Sequence, residues 1–177
     1  MLHTHVNLWW LRVWIHAHVG YYGSKEKQCN CKEGTIKKYI NKVSGPLLDR
    51  IDIHIEVNQI KYKQLETNEN IETSKEIRNR VNKARKIQYE RYKKYQIFSN
   101  SELTPKLIEK FCVLDDRSKQ MLKLAFDKLG LSARAYNRIL KVASTIADLD
   151  SSENIQTQHI AEAIQYRSLD RKYWNGR

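Results

Sequence analysis

Apolar and polar positions divide the chain into two unlike parts. From Ser74 onward the apolar residues recur at helical spacing. The first predicted helix runs from Ser74 to about Tyr95, capped by Thr73 or Ser74 with Glu76 in its first turn. Ile77, Val81 and Ala84 form its early apolar stripe, and Tyr92 and Tyr95 extend it. Thr104 as N-cap and Pro105 at the first helical position start a second helix. Asp115 or Asp116 opens a third, in which Ser118, Met121, Leu122, Ala125 and Leu129 share a face and Gly130 is the stop. Ser132 caps a fourth. There Tyr136, Ile139, Leu140, Ala143, Ile146 and Ala147 follow the i, i+3, i+4, i+7, i+10, i+11 pattern. Thr157 caps a fifth, carrying Ile160, Ala161 and Ile164. These stripes predict a small helical bundle that is complete without the first twenty residues. No heptad persists long enough for a coiled coil.

The part before Ser74 is less regular. Thr35 to Val43 reads as a short helix with Ile36, Tyr39, Ile40 and Val43 on one face, broken by Ser44-Gly45-Pro46. Ile51 to Val57 alternates apolar and polar residues at strand period. Residues 59–73 are a polar connector. The first nineteen residues hold three of the four Trp and four of the six His, with neither helical nor strand period. Their apolar run, Val6 to Val19, is 14 residues long and contains Arg12. That is too short for a bilayer span, and it lacks the basic start and small-residue cleavage site of a signal peptide. No membrane partner is expected.

Composition reinforces the helical reading, since 6 Gly and 2 Pro in 177 residues leave little material for a turn-rich sandwich or barrel. Three Cys make no disulfide framework, which points to a reducing, cytoplasmic setting. Charge changes the picture more. Lys and Arg number 32 against 20 Asp and Glu, a net +12, which favours polyanionic partners, DNA among them. Between Lys75 and Lys94 stand nine basic and two acidic residues, with Lys83, Arg85 and Lys86 as candidate DNA contacts. Tyr89, Tyr92 and Tyr95 interleave with them, either as a stacking surface for bases or as side chains packed on the bundle.

The usual catalytic signatures are missing: no phosphate loop, no dinucleotide fingerprint, no zinc-protease helix and no nucleophile elbow. Cys29-x-Cys31 offers two zinc ligands, an incomplete site that His16 and His18 could fill only with unusual spacing. Cys112 and His159 lie on apolar helical faces and read as core and structural residues. Asp49 and Asp52 flank Arg50 and are expected to orient its guanidinium rather than to act as acid and base.

Two segments carry more. One is Ser44-Gly-Pro-Leu-Leu-Asp-Arg-Ile-Asp-Ile-His-Ile-Glu-Val57. The other is Gly130-Leu-Ser-Ala-Arg-Ala-Tyr136, followed by Arg138, Lys141 and Ile146-Ala-Asp-Leu149. Together, and in this order after the Cys-x-Cys, they resemble the C-terminal part of the magnesium-chelatase-like AAA+ ATPases of the bacterial ComM (YifB) type. The resemblance covers residues 20 to 174. It implies a helical AAA+ lid over residues 74–172, preceded at residues 20–58 by the end of an α/β core. It implies that Arg50 is an arginine finger acting in trans and that Arg134 is the sensor-2 arginine, acting on its own subunit's nucleotide, with Arg138 as a weaker nucleotide contact. ATP, Mg, a hexameric ring and a DNA motor such as a branch-migration helicase follow from the same resemblance.

The sequence departs from that family before Gly20. In place of a Met-Asn-Pro-Cys-Pro-Cys-Gly segment stands Val13-Trp-Ile-His-Ala-His-Val-Gly20. Codons for those eight residues, read from their third base, can encode Met-Asp-Pro-Cys-Pro-Cys-Gly. Residues 1–19 are therefore expected to be out-of-frame translation joined to a genuine carboxy-terminal remnant. On this reading the chain alone should not hydrolyse ATP, since nothing in it cradles the β- and γ-phosphates. Two alternatives stand beside it: a small basic helical nucleic-acid-binding module, and a truncated gene product without function of its own.

Overall fold

The structure is a computed structural model that describes residue 22 and residues 28–42, 50–55 and 72–167. The chain divides into two units, residues 1–44 and 45–177. The expected out-of-frame segment, residues 1–19, and most of the connector lie outside the described residues.

In the first unit, α1 spans Glu33–Ile40. It starts earlier than the apolar pattern suggests, because Glu33 in the first turn and Lys37 and Lys38 in the last complement the helix dipole. Ile40 is its buried residue.

The second unit is mainly helical, as the stripes predict, and no strand occurs among the described residues. Its helices are α2 (Ser74–Tyr92), α3 (Pro105–Phe111), α4 (Asp116–Leu129), α5 (Ala133–Leu149) and α6 (Thr157–Gln165), with 3-10 turns at Lys93–Tyr95 and Asn100–Glu102. The helix-start residues do what their chemistry predicts. The Thr73 hydroxyl accepts from the Glu76 N–H at 3.3 Å while Glu76 accepts from the Thr73 N–H at 2.7 Å, closing a capping box. Asp115 accepts from the Ser118 N–H at 2.7 Å and Ser132 from the Ala135 N–H at 3.1 Å. Gly130 ends α4 at φ 53°, a left-handed conformation that costs glycine least.

Helix α5 is the centre of the bundle, packing against α6, α2 and α3, while α4 packs on α6. Its stripe is buried at Ile139, Leu140, Ala143, Ile146 and Ala147, and Leu122, Ile108 and Ile160 close the core around it. Burying each of these leucine and isoleucine side chains stabilises by about 1.5–3 kcal/mol, and each alanine by less. A parallel bridge between Leu114 and Ile155 ties the loops before α4 and α6 together.

Four local expectations are corrected. Helix α2 ends at Tyr92 rather than near Tyr95, tightening into a 3-10 turn before Gln96 turns left-handed at φ 57°. Ile77 and Val81 are 42% and 37% exposed. The helix packs on α5 through Ala84, Gln88 and Tyr92, so its first turns run past the edge of the bundle. The α6 cap is Gln156, not Thr157, because His159 Nδ1 accepts the Gln156 N–H at 3.0 Å. Residues 51–55 form no strand; the His54 N–H bonds instead to the Tyr166 carbonyl at 2.9 Å, at the end of α6.

Candidate nucleotide-facing site

The site is built from the first turns of α5, the end of α6 and the segment Arg50–Ile55. Ser132 fixes where α5 begins, and Ala135, fully buried, seats its first turn on the core. Arg134, between them, projects exposed from that turn. The free N–H groups and the positive end of the helix dipole lie there too, an environment suited to an anion. One turn on, the Arg138 guanidinium is ion-paired with the Asp52 carboxylate.

Two further contacts hold the Arg50 segment. Arg167, itself buried, donates from its guanidinium to the Ile51 carbonyl. The His54 N–H reaches the Tyr166 carbonyl. Arg50 stands exposed at the head of the held segment. The structure thus brings the sequence motif around Arg50 to the helix that carries Arg134, 84 positions later in the chain. Asp49 and the Ser44–Leu48 part of the motif lie outside the described residues.

Two expectations about the basic stripe change. Arg138 is engaged with Asp52, so Asp52 serves α5 in addition to standing beside Arg50. Lys141 does not extend an open basic face: its amine donates to the Ser101 carbonyl at 2.8 Å, and burial holds its pKa below the ordinary lysine value.

A buried polar network joins α2 to α5, and sequence reasoning missed it. Asp148 is fully buried. It accepts from Arg91 at 2.5 and 3.3 Å, from Gln88 at 3.0 Å and from Asn100 at 2.8 Å. The Tyr92 hydroxyl donates to Asn100 at 2.7 Å. Burial lowers the Arg91 pKa, but its hydrogen bonds to Asp148 and Tyr92 outweigh that and leave it raised. A signal was present. Asp148 follows Ile146 and Ala147 on the apolar arc, where a carboxylate must find partners.

On α2, Lys83, Arg85 and Lys86 are all exposed. Other basic residues of the helix are engaged: Arg91 with Asp148, Arg80 with Glu72, and Lys93 with Glu90 at 2.6 Å. The tyrosines divide. Tyr92 is core and meets Phe111 edge-on at 5.0 Å, so it belongs to no stacking surface. Tyr95 also leans on Phe111, at 5.3 Å. Tyr89 lies parallel to Phe98 at 6.3 Å, and both remain exposed.

Cys29 and Cys31 are half-buried free thiols. Among the described residues no three His, Cys, Asp or Glu side chains gather closely enough to hold a metal ion, and His16 and His18 lie outside them. Two thiolates supply half of the four-ligand set of structural zinc. Cys112 is buried, and burial pushes its thiol up to about 11. His159 is buried and structural as expected, with Nε2 3.1 Å from Asp150. No helix among the described residues is long and apolar enough to cross a membrane.

Comparison with known proteins places these elements. The family described as "Magnesium chelatase, subunit ChlI C-terminal" matches residues 71–167, the helical bundle, and "Magnesium chelatase, subunit ChlI" matches residues 15–65. The competence protein ComM of Haemophilus influenzae is 46% identical over 137 residues, covering 77% of this chain and 26% of ComM. YifB of Salmonella typhimurium is 38% identical over 153 residues, covering 86% of this chain and 29% of that protein. YifB of Escherichia coli is 39% identical over 156 residues, with coverage of 86% and 29%. The chain therefore spans between a quarter and three tenths of the length of these relatives.

Proposed function

The chain belongs to the magnesium chelatase subunit ChlI C-terminal family and is related to ComM and YifB, and from that premise we propose that it works as the carboxy-terminal part of a ring-forming, ATP-driven motor acting on DNA. The observation that carries the reading is that the segment headed by Arg50 is held, through Asp52, against α5, the helix that carries Arg134 in its first turn. In the proposed assembly, a hexamer, Arg50 reaches the nucleotide of a neighbouring copy. A guanidinium there stabilises charge spread over the transferred phosphoryl group and is worth roughly 10³–10⁵ in rate. Arg134 contacts nucleotide phosphate from the first turn of α5, aided by the dipole. The 177 residues contain no phosphate loop, so ATP and its Mg must be cradled elsewhere in the longer protein, and the chain alone is not expected to turn ATP over. ComM is by name a competence protein; DNA as the substrate is part of the proposal.

The test is subunit mixing in a chimera, with this chain replacing the matching carboxy-terminal part of ComM. An Arg50→Ala subunit mixed with one dead in its phosphate loop should regain ATP turnover at some interfaces, since each supplies what the other lacks. Mixtures as inactive as either parent would refute an action of Arg50 in trans.

A second reading, a basic nucleic-acid-binding module, draws on the exposed Lys83, Arg85 and Lys86 of α2. It is compatible with the first, because α2 can meet DNA within the ring. Log affinity for duplex DNA should fall against log salt with a slope near −0.9 for each phosphate neutralised. Replacing these three residues by Gln should flatten the slope by about 3 on the same rule. A salt-independent affinity would count against DNA as the partner of this helix.

A further inference from the structure

We propose that the parallel rings of Tyr89 and Phe98 are a stacking platform for unpaired bases, through which the basic face of α2 holds single-stranded DNA. This deepens the reading of α2 as a DNA-facing helix and rests on it.

The platform is held in place by the backbone around it. Tyr89 stands in the last turn of α2. Beyond it the chain tightens into the 3-10 turn and turns left-handed at Gln96, where φ is 57°. The loop then brings Phe98 back beside the helix it has just left. The ring centroids lie 6.3 Å apart, with planes 11° from parallel. Both sides of Phe98 are tied down. Ile97 packs against the core. Asn100 is buried, its amide donating to Asp148 at 2.8 Å and to Thr145 at 3.0 Å, its N–H to Gln88 at 3.3 Å. The Phe98 N–H itself donates to Glu102 at 3.2 Å. An anchored backbone thus holds an apolar ring outward: Phe98 is 61% exposed and Tyr89 48%. Rings already fixed in position lose little conformational freedom when a ligand stacks on them.

Charge selects the ligand. Arg85 and Lys86 precede Tyr89 by one helical turn, which puts them on its face of α2, and Arg78 lies two turns further back along that face. All three are exposed. From Lys83 to Lys94 six basic residues stand against one acidic residue, Glu90, and that one is ion-paired with Lys93 at 2.6 Å. A flat aromatic surface at the end of a row of cations fits a polyanion that carries flat side groups. The row follows the phosphates and the rings receive the bases. Stacking of this kind accepts any base, because every base has a π-face. A duplex keeps its bases stacked on one another and has none to offer the rings.

The test is a binding cycle on the full chain with labelled probes: a single strand of about 12 thymidylates, an abasic strand of the same length, and a duplex. The parent should hold the thymidylate strand roughly 5- to 150-fold more tightly than the abasic one, the range for one stacked base. Tyr89→Ala and Phe98→Ala should each lower affinity for the thymidylate strand within that range. Both should leave the abasic strand, the duplex and the melting of the helical circular dichroism as in the parent. Tyr89→Phe and Phe98→Tyr, which keep a ring, should bind as the parent does. The slope of log affinity against log salt counts phosphates, so the ring variants should not change it, whereas Arg85→Gln should flatten it by about 0.7 on the single strand. Equal affinity of the parent for the thymidylate and abasic strands would overturn the platform, as would equal losses on strand and duplex in the ring variants. A Phe98→Ala chain that loses self-association while its DNA affinities stay put would overturn it in favour of a second copy of the chain as the occupant. The two ideas fail separately. A flat salt slope in the parent would sink DNA as the partner of α2, whereas a steep slope with no preference for bases would sink the platform alone.

Discussion

Asp148 offers the sharpest perturbation of the bundle. Its carboxylate is fully buried and accepts four hydrogen bonds, two from Arg91 and one each from Gln88 and Asn100. Asp148→Ala would leave Arg91 with a half-buried, unbalanced charge, and breaking such a pair from one side costs about 3–5 kcal/mol. Gln88 and Asn100 would lose acceptors as well, and orphaned buried donors cost about 1–3 kcal/mol each when water cannot replace the partner. The Asn100 amide keeps Thr145 as a second acceptor at 3.0 Å, so its share should fall at the low end. Arg91 is 22% exposed and recovers part of its hydration, and the losses share one acceptor and overlap rather than add, so the expected total is about 3–5 kcal/mol, a large part of the roughly 5–15 kcal/mol that holds a typical domain. Asp148→Asn keeps the shape and one acceptor but loses the charge, and should cost about 1.5–3 kcal/mol, the worth of a charge-assisted bond. Urea unfolding followed by helical circular dichroism measures both. A double change, Arg91→Met with Asp148→Leu, removes both charges and should be less damaging than Asp148→Ala alone. A loss under about 1 kcal/mol for Asp148→Ala would refute this account of the network, because it falls well below the roughly 3–5 kcal/mol expected when such a pair is broken from one side.

Further outcomes follow from single groups. The Cys112 thiol, raised to about 11 by burial, should react with a disulfide reagent far more slowly than Cys29 and Cys31 at a pH of about 8; three equal rates would contradict its burial. Because the folded state holds that proton, Cys112's contribution to stability is intact below the ordinary thiol value near about 8.5 and is lost as pH rises toward about 11, a loss that Cys112→Ser should remove from the unfolding profile. Asp115 has its pKa lowered by the Ser118 hydroxyl and N–H, so its capping contribution is present above the ordinary carboxylate value of about 3.9 and disappears as pH falls through the depressed one. Asp115→Ala should abolish that acid-side loss. Ser132→Ala should cost about 1 kcal/mol at neutral pH, the worth of an N-cap, and an unchanged melting temperature would show that the cap does not set the start of α5.

Much of the bundle is legible in the amino-acid order alone. The caps at Thr73, Asp115 and Ser132 and the stop at Gly130 are local chemistry, decided within a few residues, and they fall where the sequence places them. The α5 stripe is equally plain, because a helix buried along one face must repeat at helical period. What periodicity cannot say is how far a neighbour extends. Ile77 and Val81 share a stripe with Ala84, yet only Ala84 is covered, since α2 meets α5 along its second half. Alternation at residues 51–57 has the same limit. It states that one face is apolar, whereas a strand also needs a paired ladder, and among the described residues the segment bonds to a helix end. Arg50 and Arg134 are singled out by motif, but their relation runs through Asp52 and Arg138. Charges 86 positions apart announce no pairing in a sequence so rich in both signs.

The claim at the centre of this account is that Arg50 contacts transferred phosphate. The most direct measurement is ATP turnover by the ComM chimera carrying this chain with Arg50→Ala in every subunit, against its parent. Loss of an arginine finger removes roughly 4–7 kcal/mol of transition-state stabilisation, the equivalent of 10³–10⁵ in rate. Turnover should fall by that order while the chimera still assembles and melts as the parent does. Near-parental turnover from the Arg50→Ala ring would contradict the claim.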